Sequence, residues 1–181
     1  LGGGKENLMS IRDWYSDFRK NRDSLVARDV LEDCEQALGM LQVEDSFDKF
    51  RVIWVAAIAQ VRAVGHVLHK VDGERNPKLK RIIEETYSKW KKNKEDNAIF
   101  WDFIENERNS VLKQYEFGFL FGPIGVITPA EQEPMELDEG LFCPILEGRY
   151  QGKDCRDVLA DAIKWWKNEL SAIEVRFRSE V

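Results

Sequence analysis

A chain of 181 residues, 43% hydrophobic and 33% charged, fits one domain with a substantial core and reads as a soluble, helix-rich globular protein. Its formal net charge of −6 argues against broad wrapping around nucleic acid, because neutralising phosphates takes many Lys and Arg; a local basic patch stays open. Cys34, Cys143 and Cys155 are scattered, odd in number and without a CxxC pair, so neither a disulfide framework nor a zinc site is indicated and a reducing cytoplasm is the expected compartment.

The opening "LGGGKEN" has no signal-peptide architecture, and residues 1–10 are read as a disordered leader before a single helical domain over 11–181. A short amphipathic segment, Ile11 to Lys20, carries Trp14, Tyr15 and Phe18. The first long helix is predicted from Ser24 to Leu41, where Leu25, Val30, Leu31, Cys34, Ala37, Leu38 and Leu41 recur at three- and four-residue steps. Asp23 is the expected cap, and Cys34 is an ordinary core thiol. The second helix, Ser46 to Lys70, is apolar nearly all round in its first half and belongs in the middle of a bundle. Its apolar run "VIWVAAIA", residues 52–59, is too short to cross a bilayer, so no membrane association is expected. Gly73 reads as a stop signal, and Asn76–Pro77 as the cap and first turn of a third helix to Lys92.

Residues 70–94 hold nine Lys or Arg against four Asp or Glu, the most basic region of an acidic chain. Tyr87 and Trp90 are interleaved within residues 78–94, so this stretch either guides RNA phosphates and stacks a base or forms a solvated helix face. A fourth helix is predicted from Asn97 to Tyr115, ending near Gly118. Residues 116–153, with Gly and Pro at short intervals, read as an excursion with a short β-hairpin that covers one end of the bundle. Asp154 caps a last helix, Cys155 to Phe177, lined by Leu159, Ile163, Trp166, Leu170, Ile173 and Phe177. Of the adjacent Trp165 and Trp166, at least one is expected to face a partner. Short connections between long amphipathic helices predict an all-α fold, an antiparallel helical bundle of about five helices.

The chemistry concentrates in the fourth helix, in "FIENERNSVLKQYEFG" at 103–118. At 100° per residue Phe100, Ile104, Val111 and Tyr115 share an apolar stripe that includes Glu107, a carboxylate needing a partner. Arg108 lies on the border, and Asn109 and Lys113 share another face. "ERNSVLKQY" resembles the signature of the HEPN (higher eukaryotes and prokaryotes nucleotide-binding) superfamily, four- or five-helix bundles with Arg, a polar residue often Asn, then His and commonly Tyr on a late helix. The resemblance spans residues 24–177. It matches Arg108, Asn109 and Tyr115, and puts Lys113 where the family has His.

The resemblance implies RNA or nucleotide binding, a homodimer that brings two motifs together, and metal-independent ribonuclease chemistry with no cofactor. Arg108 would grip phosphate and Asn109 orient it, while Glu107 would hold the arginine or a residue of the second copy in place. An arginine fork suits phosphate oxygens. Lysine titrates far above neutral pH and is a poor general base, but holds phosphate as a cation. The expected protein is therefore HEPN-like, weak or inactive as a ribonuclease.

His66 and His69 flank the stripe of the second helix beside Arg62. They either supply the missing imidazole in a composite site with Arg108 or are ordinary histidines near a helix C-terminus. No third metal ligand follows by spacing. The contrasting reading is a non-enzymatic interaction module, such as a regulatory partner in a toxin–antitoxin or defence locus, whose aromatic helices and 116–153 excursion form the contact surface. A nucleotide-modifying enzyme lacks support, since "GPIG" at 122–125 has no strand–helix context for a phosphate loop.

Overall fold

The computed structural model describes Ser10 and residues 24–126 and 135–180. The predicted segment Ile11 to Lys20 and the cap Asp23 lie outside the described residues. Within them the chain forms five helices and one two-stranded hairpin. They are α1 (Val26–Val43), α2 (Phe47–Val67, running on through Leu68–Asp72 and Gly73–Arg75), α3 (Pro77–Lys92), α4 (Ile99–Glu105, Asn106–Asn109 and Ser110–Gln114 in one run) and α5 (Cys155–Ser179). The hairpin pairs β1 (Ile124–Val126) with β2 (Met135–Leu137), antiparallel, with Gly125 opposite Glu136.

Ion pairs and ring contacts show the antiparallel order. Arg28 meets Glu174 at 2.9 Å and Glu35 meets Lys167 farther along, so α1 and α5 run in opposite directions. Lys78 donates to the Phe177 carbonyl at 2.6 Å while Trp90 donates to Glu169 at 2.8 Å, which sets α3 against α5. Trp54 faces Glu107 and Arg62 faces Glu105, which sets α2 against α4.

The sequence accounts for much of this. Asn76 caps α3 by accepting from the N–H groups of Lys78 and Leu79, and Pro77 supplies a ring already set for the first turn. Asp154 caps α5 by accepting from the Arg156 N–H. The buried stripe of α2, namely Phe50, Trp54, Ala57, Ile58, Val61 and Val64, fills the centre of the bundle. Cys34 is a fully buried thiol, pushed up to about 12 by desolvation.

One expectation is corrected. Gly73 does not stop α2. Its φ of −62° and ψ of −30° are ordinary right-handed values, and the helix continues to Arg75. Glycine permits a left-handed exit without requiring one. Consequently the helical run Phe47–Arg75 is 29 residues, long and apolar enough to cross a membrane by length and composition alone, which the eight-residue run did not reveal. Trp165 and Trp166 both pack inward: Trp166 is fully buried, and Trp165 lies 4.9 Å from Trp90 and donates to Asn97 at 3.3 Å.

The N-terminus of α1 is capped from a distance. Leu25 precedes the helix and offers no side-chain acceptor. Instead the carboxylate of Asp72, in a wide turn of α2, accepts from the N–H of Val26 at 2.8 Å and of Ala27 at 3.0 Å. Arg75 bonds the same carboxylate at 3.1 Å and the Ser24 carbonyl at 3.0 Å. Asp72 has no exposed surface, and this corner satisfies the orphan donors that begin any helix.

Within the 116–153 excursion, Phe119 and Phe121 cover the start of α2, at one end of the bundle. Phe119 and Phe121 lie 5.4 and 5.0 Å from Phe50. A bridge pairs Phe119 with Ile145, and a second pairs Pro144 with Asp154. Gly140, at φ +80°, lets the backbone pass Phe121, whose ring would lie 3.0 Å from an added Cβ.

Candidate functional site

Wide, i→i+5 turns occupy Ile99–Glu105 and Ser110–Gln114, so most of α4 departs from α-helical spacing. Such turns are uncommon and cluster where side chains are re-aimed. Phe100, Ile104 and Val111 are buried as the 100° wheel predicts, but Tyr115 is 60% exposed. The widened turn rotates it out of the stripe. It also closes the helix in the left-handed conformation, φ 57° and ψ 35°, an uncommon state for a bulky residue.

Glu107 finds the partner its position demands, but that partner is not Arg108. Its Oε1 accepts from the Trp54 indole N–H at 3.1 Å, and the Gly118 N–H donates to the same carboxylate. Burial raises its pKa above the usual carboxylate range, against the pull of those two bonds. Its predicted role of holding the arginine is therefore corrected: the group ties α4 to α2 and to the chain leaving α4.

Arg108 is half-buried, and its guanidinium donates to no carboxylate among the described residues. Its one hydrogen bond is internal to the motif, Nη1 donating to Oδ1 of Asn109 at 3.0 Å. Lys113 is exposed. Arg108 and Asn109 close the regular turn Asn106–Asn109, and Lys113 lies in the widened turn that follows it, so all three belong to the last turns of α4. Sequence reasoning missed Arg51 of α2, whose guanidinium lies 6.0 Å from the Tyr115 ring centre. Only the antiparallel packing of α2 on α4 brings it there. The end of α4 thus carries Arg108 with its Asn109 amide, the exposed Lys113 and the exposed Tyr115. Arg51, itself paired with Asp48 at 3.5 Å, stands beside the Tyr115 ring. This ledge offers groups that suit an anion with a planar neighbour.

His66 and His69 are exposed and line a different feature, a cavity of about 230 Å³ with Arg62 at its edge. Arg108, Asn109 and Lys113 do not line it. Glu107 sits level with Trp54, and His66 is twelve residues farther along α2, about 18 Å at ~1.5 Å per residue. The composite site of Arg108 with an imidazole is not assembled within one chain.

The basic stretch of α3 is not a stacking platform either. Trp90 is buried, with its indole N–H on Glu169. Tyr87 packs edge-on to Trp90 and Phe100 at 6.0 and 6.4 Å. Arg81 pairs with Glu85 and Glu180, while Lys89, Lys91 and Lys92 are solvated. Among the described residues no group of three or more His, Cys, Asp or Glu gathers to hold a metal ion. Cys143 and Cys155 are buried, free and hydrogen-bonded to each other; the Cys155 thiol holds Cys143 below the usual thiol range, and burial drives Cys155 far above it.

Family models, curated proteins and solved structures yield no match to the chain.

Proposed function

We propose that the chain is a HEPN-like RNA- or nucleotide-binding protein that takes phosphate on the ledge at the end of α4. One observation carries this reading: the Arg108 guanidinium is half-exposed, and among the described residues its hydrogen bonding runs to Asn109 alone and no carboxylate neutralises it. A guanidinium used as scaffold is normally saturated by carboxylates or carbonyls, as Arg156 is by Asp154, Gly140 and Leu141. An unsaturated one keeps its fork for an incoming oxyanion. Lys113 and Arg51 add charge, and Tyr115 offers a ring face to a base.

With lysine in place of the family histidine, the ledge binds better than it cleaves, and any hydrolysis is slow and metal-independent. A homodimer that apposes two α4 ends doubles the cation count and supplies the second half of the site. The test is binding of a short single-stranded RNA, followed by fluorescence anisotropy. Arg108→Ala should weaken it at least tenfold, and Lys113→His should raise cleavage. Unchanged binding by a folded Arg108→Ala protein removes the assignment.

The second reading, a non-enzymatic interaction module, is favoured by a separate observation. Leu112, Tyr115 and Leu120 are 47%, 60% and 44% exposed around the same helix end. Apolar groups collected in one place suit a protein partner. A stable complex whose formation depends on Leu112 and Leu120 and ignores Arg108 favours that reading.

A further inference from the structure

Far from the ledge, α2, α3, α4 and α5 converge on the aromatic cavity. Its walls are Tyr87, Trp90, Phe100 and Trp166, and Ile83 and Leu68 add aliphatic surface. At its edge stand Arg62, His66 and His69. Arg62 is held by Glu105 at 2.7 Å and lies 6.0 Å from the Phe100 ring centre.

Trp166 has no exposed surface, yet its indole N–H is enclosed without a hydrogen-bond acceptor among the described residues. A buried donor left empty costs stability, and native proteins almost always fill it. Trp90, Trp101 and Trp165, its neighbours in the same cluster, all donate to protein oxygens. Trp90 and Trp166 both line the cavity, and of the two only Trp166 keeps its indole N–H without an acceptor among the described residues. Gly65 makes room there, because an added Cβ would fall 2.9 Å from the Trp166 ring.

We infer that this cavity is a binding site for a small planar aromatic acid. The acid carries a second hydrogen-bond acceptor, such as a ring hydroxyl, remote from its carboxylate. The flat walls take the ring, the Trp166 N–H takes the acceptor, and the Arg62–His66–His69 edge takes the carboxylate. A cage of aromatic rings alone would suit a cationic ligand. Here the ring face of Phe100 already has the Arg62 guanidinium over it, and the Glu105 that pairs with Arg62 stands outside the lining. The other basic side chains at the cavity are the two histidines, so the lining suits an anion better than a cation. The volume of about 230 Å³ holds one ring with its substituents, or two fused rings.

Calorimetric titration of the full chain with three probes tests this: 4-hydroxyphenylacetate, 4-hydroxybenzylamine with the same ring and opposite charge, and phenylacetate without the hydroxyl. The hydroxy acid should bind saturably, at least tenfold tighter than the amine and about threefold or more tighter than phenylacetate. His66→Ala with His69→Ala should shrink the first gap, and Trp166→Phe the second. Both histidines are exposed, so the charge arm stands even if Trp166→Phe fails to fold. No saturable binding up to ~10 mM, equal binding of the amine, or gaps that survive the variants would overturn the inference. Preference for uridine over all three probes would also overturn it.

Discussion

The Asp72 corner lies in a widened helical turn and the Arg108 ledge borders one, and the two treat charge in opposite ways. Asp72 is fully enclosed, and its two oxygens receive two backbone N–H groups and an arginine. Arg108 is half-exposed and satisfied only by the amide beside it. An irregular turn therefore says little by itself about function. What separates a joint from a receptor is whether the hydrogen-bonding capacity of the charged group is used up. The first kind of cluster should govern folding and leave ligands untouched; the second should do the reverse.

The largest effect should come from Asp72→Ala, which strands the two buried N–H groups of Val26 and Ala27 and removes one acceptor of Arg75. A loss of about 3–5 kcal/mol in urea unfolding is expected, with RNA affinity of the folded fraction unchanged. A neutral result would break the comparison at its firmer end. Glu107→Ala, another saturated carboxylate, should cost about 1–3 kcal/mol through the lost bonds to Trp54 and Gly118.

Glu107 also predicts a pH dependence. Burial raises its folded pKa above the ordinary value of 4.5, so the native state holds that proton more tightly than the unfolded chain. Its contribution is fully present below 4.5 and is lost as pH rises from there through the folded value. Glu107→Gln should flatten that part of the stability profile in urea titrations at successive pH values; an unaltered slope would assign it to other groups.

At the ledge the order reverses. Arg108→Ala should move the urea midpoint by no more than ~0.5 kcal/mol, while lowering RNA affinity at least tenfold and reducing the salt slope by about 0.7 for one lost phosphate contact. A large stability loss would reclassify the arginine as a joint. The smallest effect is the most diagnostic. Tyr115 holds a left-handed conformation that asparagine adopts more easily. Tyr115→Asn should therefore gain a few tenths to about 1 kcal/mol of stability and lose base stacking, exchanging function for stability in one substitution.

What the sequence disclosed was local. Asn76–Pro77 and Asp154 announce the starts of α3 and α5 because each cap acts within three residues of itself. The need of Glu107 for a partner was legible from its place on an apolar stripe. Its identity was not, since Trp54 is 53 positions away. Asp72 could not be recognised as the cap of α1 across a separation of 46. The ledge was legible as a motif, but the exposure of Tyr115 was hidden because a 100° wheel assumes regular turns and α4 widens twice. The histidines were grouped with Arg108 by chemistry alone, and helix rise along α2 keeps them apart.

The indole cluster also gives this molecule its own optical reporter. Trp165 and Trp166 are 4.8 Å apart, Trp90 is 4.9 Å from the first and 5.6 Å from the second. At such separations the electronic transitions of the rings couple, so the junction should write an exciton couplet into the far-ultraviolet circular dichroism, superposed on the helical bands. Loss of the part of that couplet contributed by Trp90, before the helical signal on heating, would mean that α3 and α5 part company while each is still wound.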